Sequence, residues 1–309
     1  KPTRPTTPTK PIERVNTPIF NSDSAYHFIQ KQVDFGPRVP NTPEHVACAN
    51  WLDDKLKSYG ATTIIQKAVV TAFNGDKLNM QNIVGQFNPE KKSRILLFAH
   101  WDTRPYADHD VKDKRKPIDG ANDGGSGVGV LLEIARQISK QNTTIGIDII
   151  FFDAEDYGTF SGEEQKMKDD WCLGSQYWAK NPPIANYHPK YGILLDIVGG
   201  KNAKFPKEYF STYFADNIVT RVWNAANRLG YSNYFVEDRL PLQHGITDDH
   251  RYVNILAKIP SIDIINYDMN LENPFGDFHH KHSDNMELID KSTLNAVGQT
   301  VMEVIYQEK

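Results

Sequence analysis

The sequence predicts an α/β fold: a single-domain three-layer sandwich, with a mixed, mostly parallel twisted sheet and helices on both faces. Three observations carry this. Short apolar runs recur as "RILLFAH", "IGIDIIFF", "YGILLDIV" and "AKIPSIDII", the pattern of strands buried on both faces. Segments with helical start and stop signals separate them. The 309 residues show no internal repeat and no second composition regime, so one domain is expected over residues 20–309.

The elements follow in order. Residues 1–19 form a leader rich in Pro, Thr and Lys, without periodicity, which reads as extended, poorly ordered chain. "SDSAYHFIQKQVDFG" opens on a Ser/Asp cap signal and stops at Gly36, a helix. "TPEHVACANWLDDKLKSYG" has Thr42 as cap, Pro43 in the first turn and Gly60 as stop. Next, "TTIIQKAVVTAF" and "MQNIVGQF" read as a hairpin. "RILLFAHWD" is a buried strand, "GSGVGVLLEIARQIS" a helix opening on glycines, and "IGIDIIFFD" another strand. "YGILLDIVG" and "AKIPSIDIINYD" are two more strands, and "DKSTLNAVGQTVMEVIYQ" is the closing helix.

With 39% hydrophobic and 24% charged residues the composition is ordinary for a globular chain. A formal net charge of −4 leaves no basic footprint for nucleic acid. No apolar run approaches the roughly 20 residues of a membrane span. Cys48 and Cys172 could pair, though nothing in their spacing says so; buried free thiols are the simpler reading.

In open sheets of this kind, ligands bind at the carboxyl ends of the strands. The apolar runs here give way, one after another, to acid and histidine. His100 and Asp102 come after the first, and Asp123 precedes the glycine-led helix. Glu155 and Asp156 end "IIFFDAED", and Asp196 ends "ILLD". Later come "HGITDDH", with Asp248, Asp249 and His250, and "FHHKHSDN", with His279, His280 and His282. One Asp at a strand end is usually a helix cap, and lone histidines such as His27, His45, His109 and His188 read as surface or satisfied core residues. Several carboxylates on one edge must protonate, pair or bind a cation, and only Arg104 offers a matching base. Mixed oxygen and imidazole donors suit zinc over calcium or magnesium.

These motifs together, "FAHWDTRP", "GANDGGSGVGVLLEIAR", "FFDAED", "LLDIVGG", "ITDDH" and "HSDN", resemble the zinc-dependent M28 aminopeptidase superfamily. More narrowly they are similar to its zinc-type glutaminyl cyclases, bacterial branch, and the likeness runs from the first helix to the last. The resemblance implies an acyltransferase that cyclises the N-terminal glutamine of peptides or proteins to pyroglutamate and releases ammonia. It implies one Zn2+ per chain, held by Asp123, Asp156 and His280, with His279 and His282 as bystanders or supporting groups. Glu155 matches the general acid/base and Asp248 the acid that supports the transition state. His100, Asp102, Asp196 and Asp263 match supporting positions or a second metal site. Trp171, Ile246, Phe275 and His279 are expected around the substrate. A cis peptide at Asp123–Gly124 is also implied, as is an exported monomer, periplasmic or at the cell surface, with the leader as a place for a lipid anchor.

Three positions depart from the animal enzymes: Asp156 stands for Glu, Asp263 for His and His279 for Trp. A shorter Asp156 brings any metal nearer its strand, and Asp263 beside Asp248 should raise one of the two pKa values. Two alternatives stay open. A di-zinc aminopeptidase would use His100 and Asp196 for a second ion, and a catalytically inactive binding domain could share the fold. The stretch "YGTFSGEEQKMKDDW" reads as an insertion, either a lid or a solvated loop.

Overall fold

Alternation along individual strands decides which helices cover which face of the sheet. In the computed structural model of the chain, residues 15–309 are described; residues 1–14 of the predicted leader lie outside them. Helix α1 (Ser22–Val33) is capped by the Asn21 side chain, one position before the predicted Ser/Asp signal, and α2 (Pro43–Ser58) by Thr42 as expected. Strands β1 (Thr62–Thr71) and β2 (Lys77–Phe87) form the antiparallel hairpin, with Thr62 opposite Gln86 and Thr71 opposite Lys77. Then come β3 (Arg94–His100), α3 (Gly125–Lys140), β4 (Gly146–Phe152), α4 (Leu173–Lys180) and β5 (Gly192–Asp196). A two-stranded parallel sheet of β6 (Phe205–Lys207) and β7 (Phe235–Arg239) brackets α5 (Tyr209–Arg228). Helix α6 (Asp249–Ile255), β8 (Ser261–Ile265) and α7 (Lys291–Gln307) complete the chain.

The main sheet has the order β1-β2-β4-β3-β5-β8. β3 runs parallel to β4 and β5, and β5 parallel to β8, so these four strands end on one edge. Along β3, Ile95, Leu97 and Ala99 join the large core under α1, α2, α3, α5 and α7, while Leu96 and Phe98 join the smaller one under α4 and α6. Each of the larger side chains, Ile95, Leu96, Leu97 and Phe98, contributes roughly 1.5–3 kcal/mol on full burial, which fixes strand register firmly. The one charged letter inside β4, Asp148, is neutralised by Arg94 at 2.5 and 2.8 Å.

Two features position the site. A Cβ on Gly127 would lie 2.1 Å from the Leu195 carbonyl oxygen, so α3 presses its first turn directly onto the sheet edge. Residues 15–20, at the end of the predicted leader, are fastened along α7: the Val15 N–H donates to Gln307 and the Phe20 N–H to Gln299.

Candidate active site

The end of β4 divides its carboxylates by a single backbone turn. Ala154 adopts φ +52, the left-handed region that a non-glycine residue enters rarely. Asp153 thereby faces α2, where it accepts from Gln81 N–H (2.6 Å), Ala154 N–H (2.8 Å) and His45 Nε2 (2.8 Å). Glu155 and Asp156 turn the other way. Asp102, fully buried, accepts their two backbone N–H groups at 3.1 and 3.2 Å and fixes that turn.

Asp123 arrives from the loop before α3, held by Asp284, which accepts its N–H at 3.0 Å and that of Asn122 at 2.7 Å. Among the described residues no peptide bond is cis. This corrects the expectation at Asp123–Gly124: the turn into α3 is made by Gly124 at φ +81, where a Cβ would sit 2.9 Å from the His100 ring. His280, itself at φ +56, points its Nε2 between the two acids, 3.4 Å from Asp156 Oδ1 and 3.8 Å from Asp123 Oδ2. Asp108 Oδ1 lies 3.6 Å from His280 Nδ1 and is paired with Arg104. The Trp171 ring lies parallel to the His280 ring at 6.0 Å.

The remaining acids lie alongside. His100 Nε2 is 3.1 Å from both Asp123 Oδ1 and Asp196 Oδ1. Burial pushes Asp196 up to about 7, against the pull of His100. Burial, with Asp248, Asp156 and Asp249 adding negative charge, holds Glu155 well above the usual carboxylate range. Asp248 caps α6, and only its Oδ1 finds a donor, the Asp249 N–H at 2.5 Å. Asp263 sits behind it, raised by burial and then by Asp248, as the sequence led us to expect.

A cavity of about 340 Å³ opens over this edge, lined by Asp123, Glu155, Asp156, Asp196, Asp248 and His280 and by the four expected pocket residues Trp171, Ile246, Phe275 and His279. Asp102 and Asp263 stay behind its wall. Thr159, Ser161 and Trp171 bring the 157–171 stretch into that wall, tied down where Asp108 accepts the Ser161 N–H at 2.8 Å.

His109, expected at the surface or in the core, also lines the cavity, its ring 4.9 Å from that of His280. Nothing in its local sequence signals this, because the contact is made by a loop 170 residues away. Three more groups escaped sequence reasoning. They are Asp108, Asp284 and Cys172, whose thiol donates to Glu155 Oε1 at 3.1 Å. Both cysteines are free and buried.

The donor set fits a metal. Asp123, Asp156 and His280 offer ligand atoms that all lie within 4.8 Å of one another. Both oxygens of Asp156 are buried without a hydrogen-bond donor, an arrangement costing several kcal/mol unless a cation completes it. Burial, then the Arg104 charge, holds the His280 imidazole neutral, the state that binds metal. Two carboxylates and one neutral imidazole suit a zinc ion with one position left open.

Comparison with known proteins points to the same metal chemistry. The sequence model of peptidase family M28 matches residues 82–305. A Zn-dependent exopeptidase from Parabacteroides distasonis is 56% identical in sequence, with a TM-score of 0.92 over 95% of this chain and 100% of that one. Tannerella forsythia glutaminyl cyclase is 55% identical, TM-score 0.92, over 94% of this chain and 100% of that one. Bacteroides thetaiotaomicron glutaminyl cyclase, in a structure bound to N-acetylhistamine, is 54% identical, TM-score 0.92, over 95% and 100%.

Proposed function

This chain belongs to peptidase family M28, and from that premise we propose that it is a zinc-dependent glutaminyl-peptide cyclotransferase. The observation that carries the reading is the bare carboxylate of Asp156 beside Asp123 and His280, with Glu155 next to it in a cavity that Trp171 and Phe275 help to wall. Asp123, Asp156 and His280 would hold the ion. Bound there, zinc supplies Lewis acidity toward the side-chain amide of the substrate glutamine.

The protein's own groups do the rest. Trp171, Phe275 and Ile246 wall the glutamine side chain and exclude water. The substrate's α-amine attacks its own side-chain carbonyl carbon, a C–N bond forms, and the bond to the amide nitrogen breaks. Glu155 takes the proton from the attacking amine and returns it to the leaving nitrogen, which departs as ammonia. Asp248, across the same cavity, stabilises the charge that develops on nitrogen. Amine and carbonyl belong to one residue, so holding them in a ring-closing geometry supplies much of the rate.

An aminopeptidase would need a second ion at His100, Asp123 and Asp196. Those three groups also bring donor atoms within 4.8 Å of one another, with His100 Nε2 3.1 Å from each carboxylate, so the number of ions bound separates the two readings. We further propose export to the periplasm or cell surface, on the strength of the family likeness and the Pro/Thr leader, and a monomeric state; a lipid anchor would fall outside the described residues. Among those residues no helix is long and apolar enough to cross a membrane.

The test is incubation with a Gln-initiated peptide, with and without chelator. Chelator-sensitive ammonia release with a matching mass loss is expected. Release of free N-terminal residues with no pyroglutamate would contradict the reading.

A further inference from the structure

Behind the cavity wall lies a buried carboxylate–imidazole pair that the cyclisation leaves unused. Glu208, fully buried, caps α5. Its Oε1 accepts the N–H groups of Phe210 (2.8 Å) and Ile246 (3.1 Å). Its Oε2 accepts the Ser211 N–H (2.7 Å) and hydroxyl (2.8 Å) and lies 3.1 Å from His250 Nε2. Burial opposes ionisation, yet His250 and these donors outweigh it and hold the carboxyl down to about 2. An ionised carboxylate only accepts, so Nε2 of His250 carries the hydrogen.

That choice has a consequence on the other side of the ring. His250 Nδ1 has no hydrogen-bond partner and lies 3.7 Å from Asp263 Oδ2. Both Asp263 oxygens and Asp248 Oδ2 are likewise without a donor. Two buried acids packed together share a proton, and His250 Nδ1 faces the pair, a ring nitrogen within 4.8 Å of a carboxylate oxygen of each. The backbone is coupled too. The Asp263 N–H donates at 2.9 Å to the Ser211 hydroxyl, the same group that donates to Glu208.

We infer that Glu208 and His250 are positioning residues for Asp248. Glu208 ties the start of α5 to the cavity loop at Ile246 and to α6, and it turns His250 Nδ1 toward Asp263. This seats Asp248 and fixes the proton it shares with Asp263. Neither Glu208 nor His250 lines the cavity; they reach it through Asp248 and, for Glu208, also through the Ile246 N–H, and a kcat-against-KM split separates the two routes. The inference rests on the reading of Asp248 as the acid of the cyclisation.

Glu208→Gln and His250→Ala test it, with Val222→Ala as a comparison that loosens the buried side of the same helix. Each of the first two is expected to lower kcat roughly 10–100-fold, as loss of a supporting partner does. KM should move less than about threefold and zinc content stay unchanged. The double variant should be no worse than the worse single. Val222→Ala, at comparable loss of Tm, should keep its kcat. Unchanged kcat in Glu208→Gln, or an equal kcat loss in Val222→Ala, would overturn the inference. Nitrogen chemical shifts of the His250 ring, read without substrate, separate this from the function itself. Wild-type protein that cyclises nothing would sink the functional reading alone. A ring with hydrogen on Nδ1 and a bare Nε2 would overturn the pair.

Discussion

Asp153 and Asp156 sit three residues apart at the end of one strand, 0% and 1% exposed, and they meet opposite fates. Asp153 is met by two backbone N–H groups and His45. Asp156 has Arg104 no nearer than 3.5 Å and no hydrogen bond to either oxygen. Burial therefore does not separate these two carboxylates; their donors do, together with the cavity that Asp156 lines and Asp153 does not. The protein completes Asp153 itself and leaves Asp156 to be completed by something bound. Ala154, in the left-handed region, is the hinge that keeps the two apart.

The largest expected effect breaks the comparison on its open side. Asp156→Ala should abolish turnover by more than the roughly 10–100-fold that outer partners of a metal cost, in a steady-state assay of ammonia release. Glu155→Gln should lower kcat about 10²–10⁴-fold with KM little changed. A collapse of KM instead would make Glu155 a binding group. On the closed side, Asp153→Ala leaves His45 and two N–H groups buried without an acceptor, so denaturant unfolding should show a loss of about 3–5 kcal/mol. The folded fraction should keep its kcat within about tenfold, since Asp153 does not line the cavity. Kinetic loss without stability loss would reverse the two roles.

A second satisfied acid sharpens the contrast through pH. Glu208 is held down to about 2 from 4.5, so its stabilisation is full above about pH 4.5 and is lost as pH falls toward 2. The full swing is about 3 kcal/mol, and Glu208→Gln should flatten that acid limb in Tm against pH. Smallest is Cys172→Ala, which removes one hydrogen bond to Glu155 and should cost about 0.5–1.5 kcal/mol of transition-state stabilisation. Cys172→Ser should restore it, and a null effect would show the thiol to be packing alone.

Much of this was legible in the chain. Continuous apolar runs with no alternation told strands buried on both faces, and the acids just beyond them marked the edge where "FFDAED", "DGANDGG" and "LLD" meet. What stayed hidden has physical causes. β6 and β7 are 3 and 5 residues long, too short for a period to emerge. α5 carries its apolar spacing in a segment whose first turns hold Tyr209, Phe210, Tyr213 and Phe214, none of them fully buried and Tyr213 exposed, which blurs the period. Asp108, Asp284 and His109 reach the site through contacts distant in sequence, and Cys172 through a left-handed turn at φ +57. No local pattern encodes such approaches. The cis bond expected at Asp123 was an inference from relatives, and the glycine turn at Gly124 takes its place.

The division of labour between Glu155 and Asp156 is tested most directly by counting metal. Purified wild-type protein and its Glu155→Gln variant, dialysed and analysed for zinc, should each hold one ion per chain, and Asp156→Ala should hold less. Zinc lost from Glu155→Gln, or two ions per wild-type chain at full occupancy, would contradict the account.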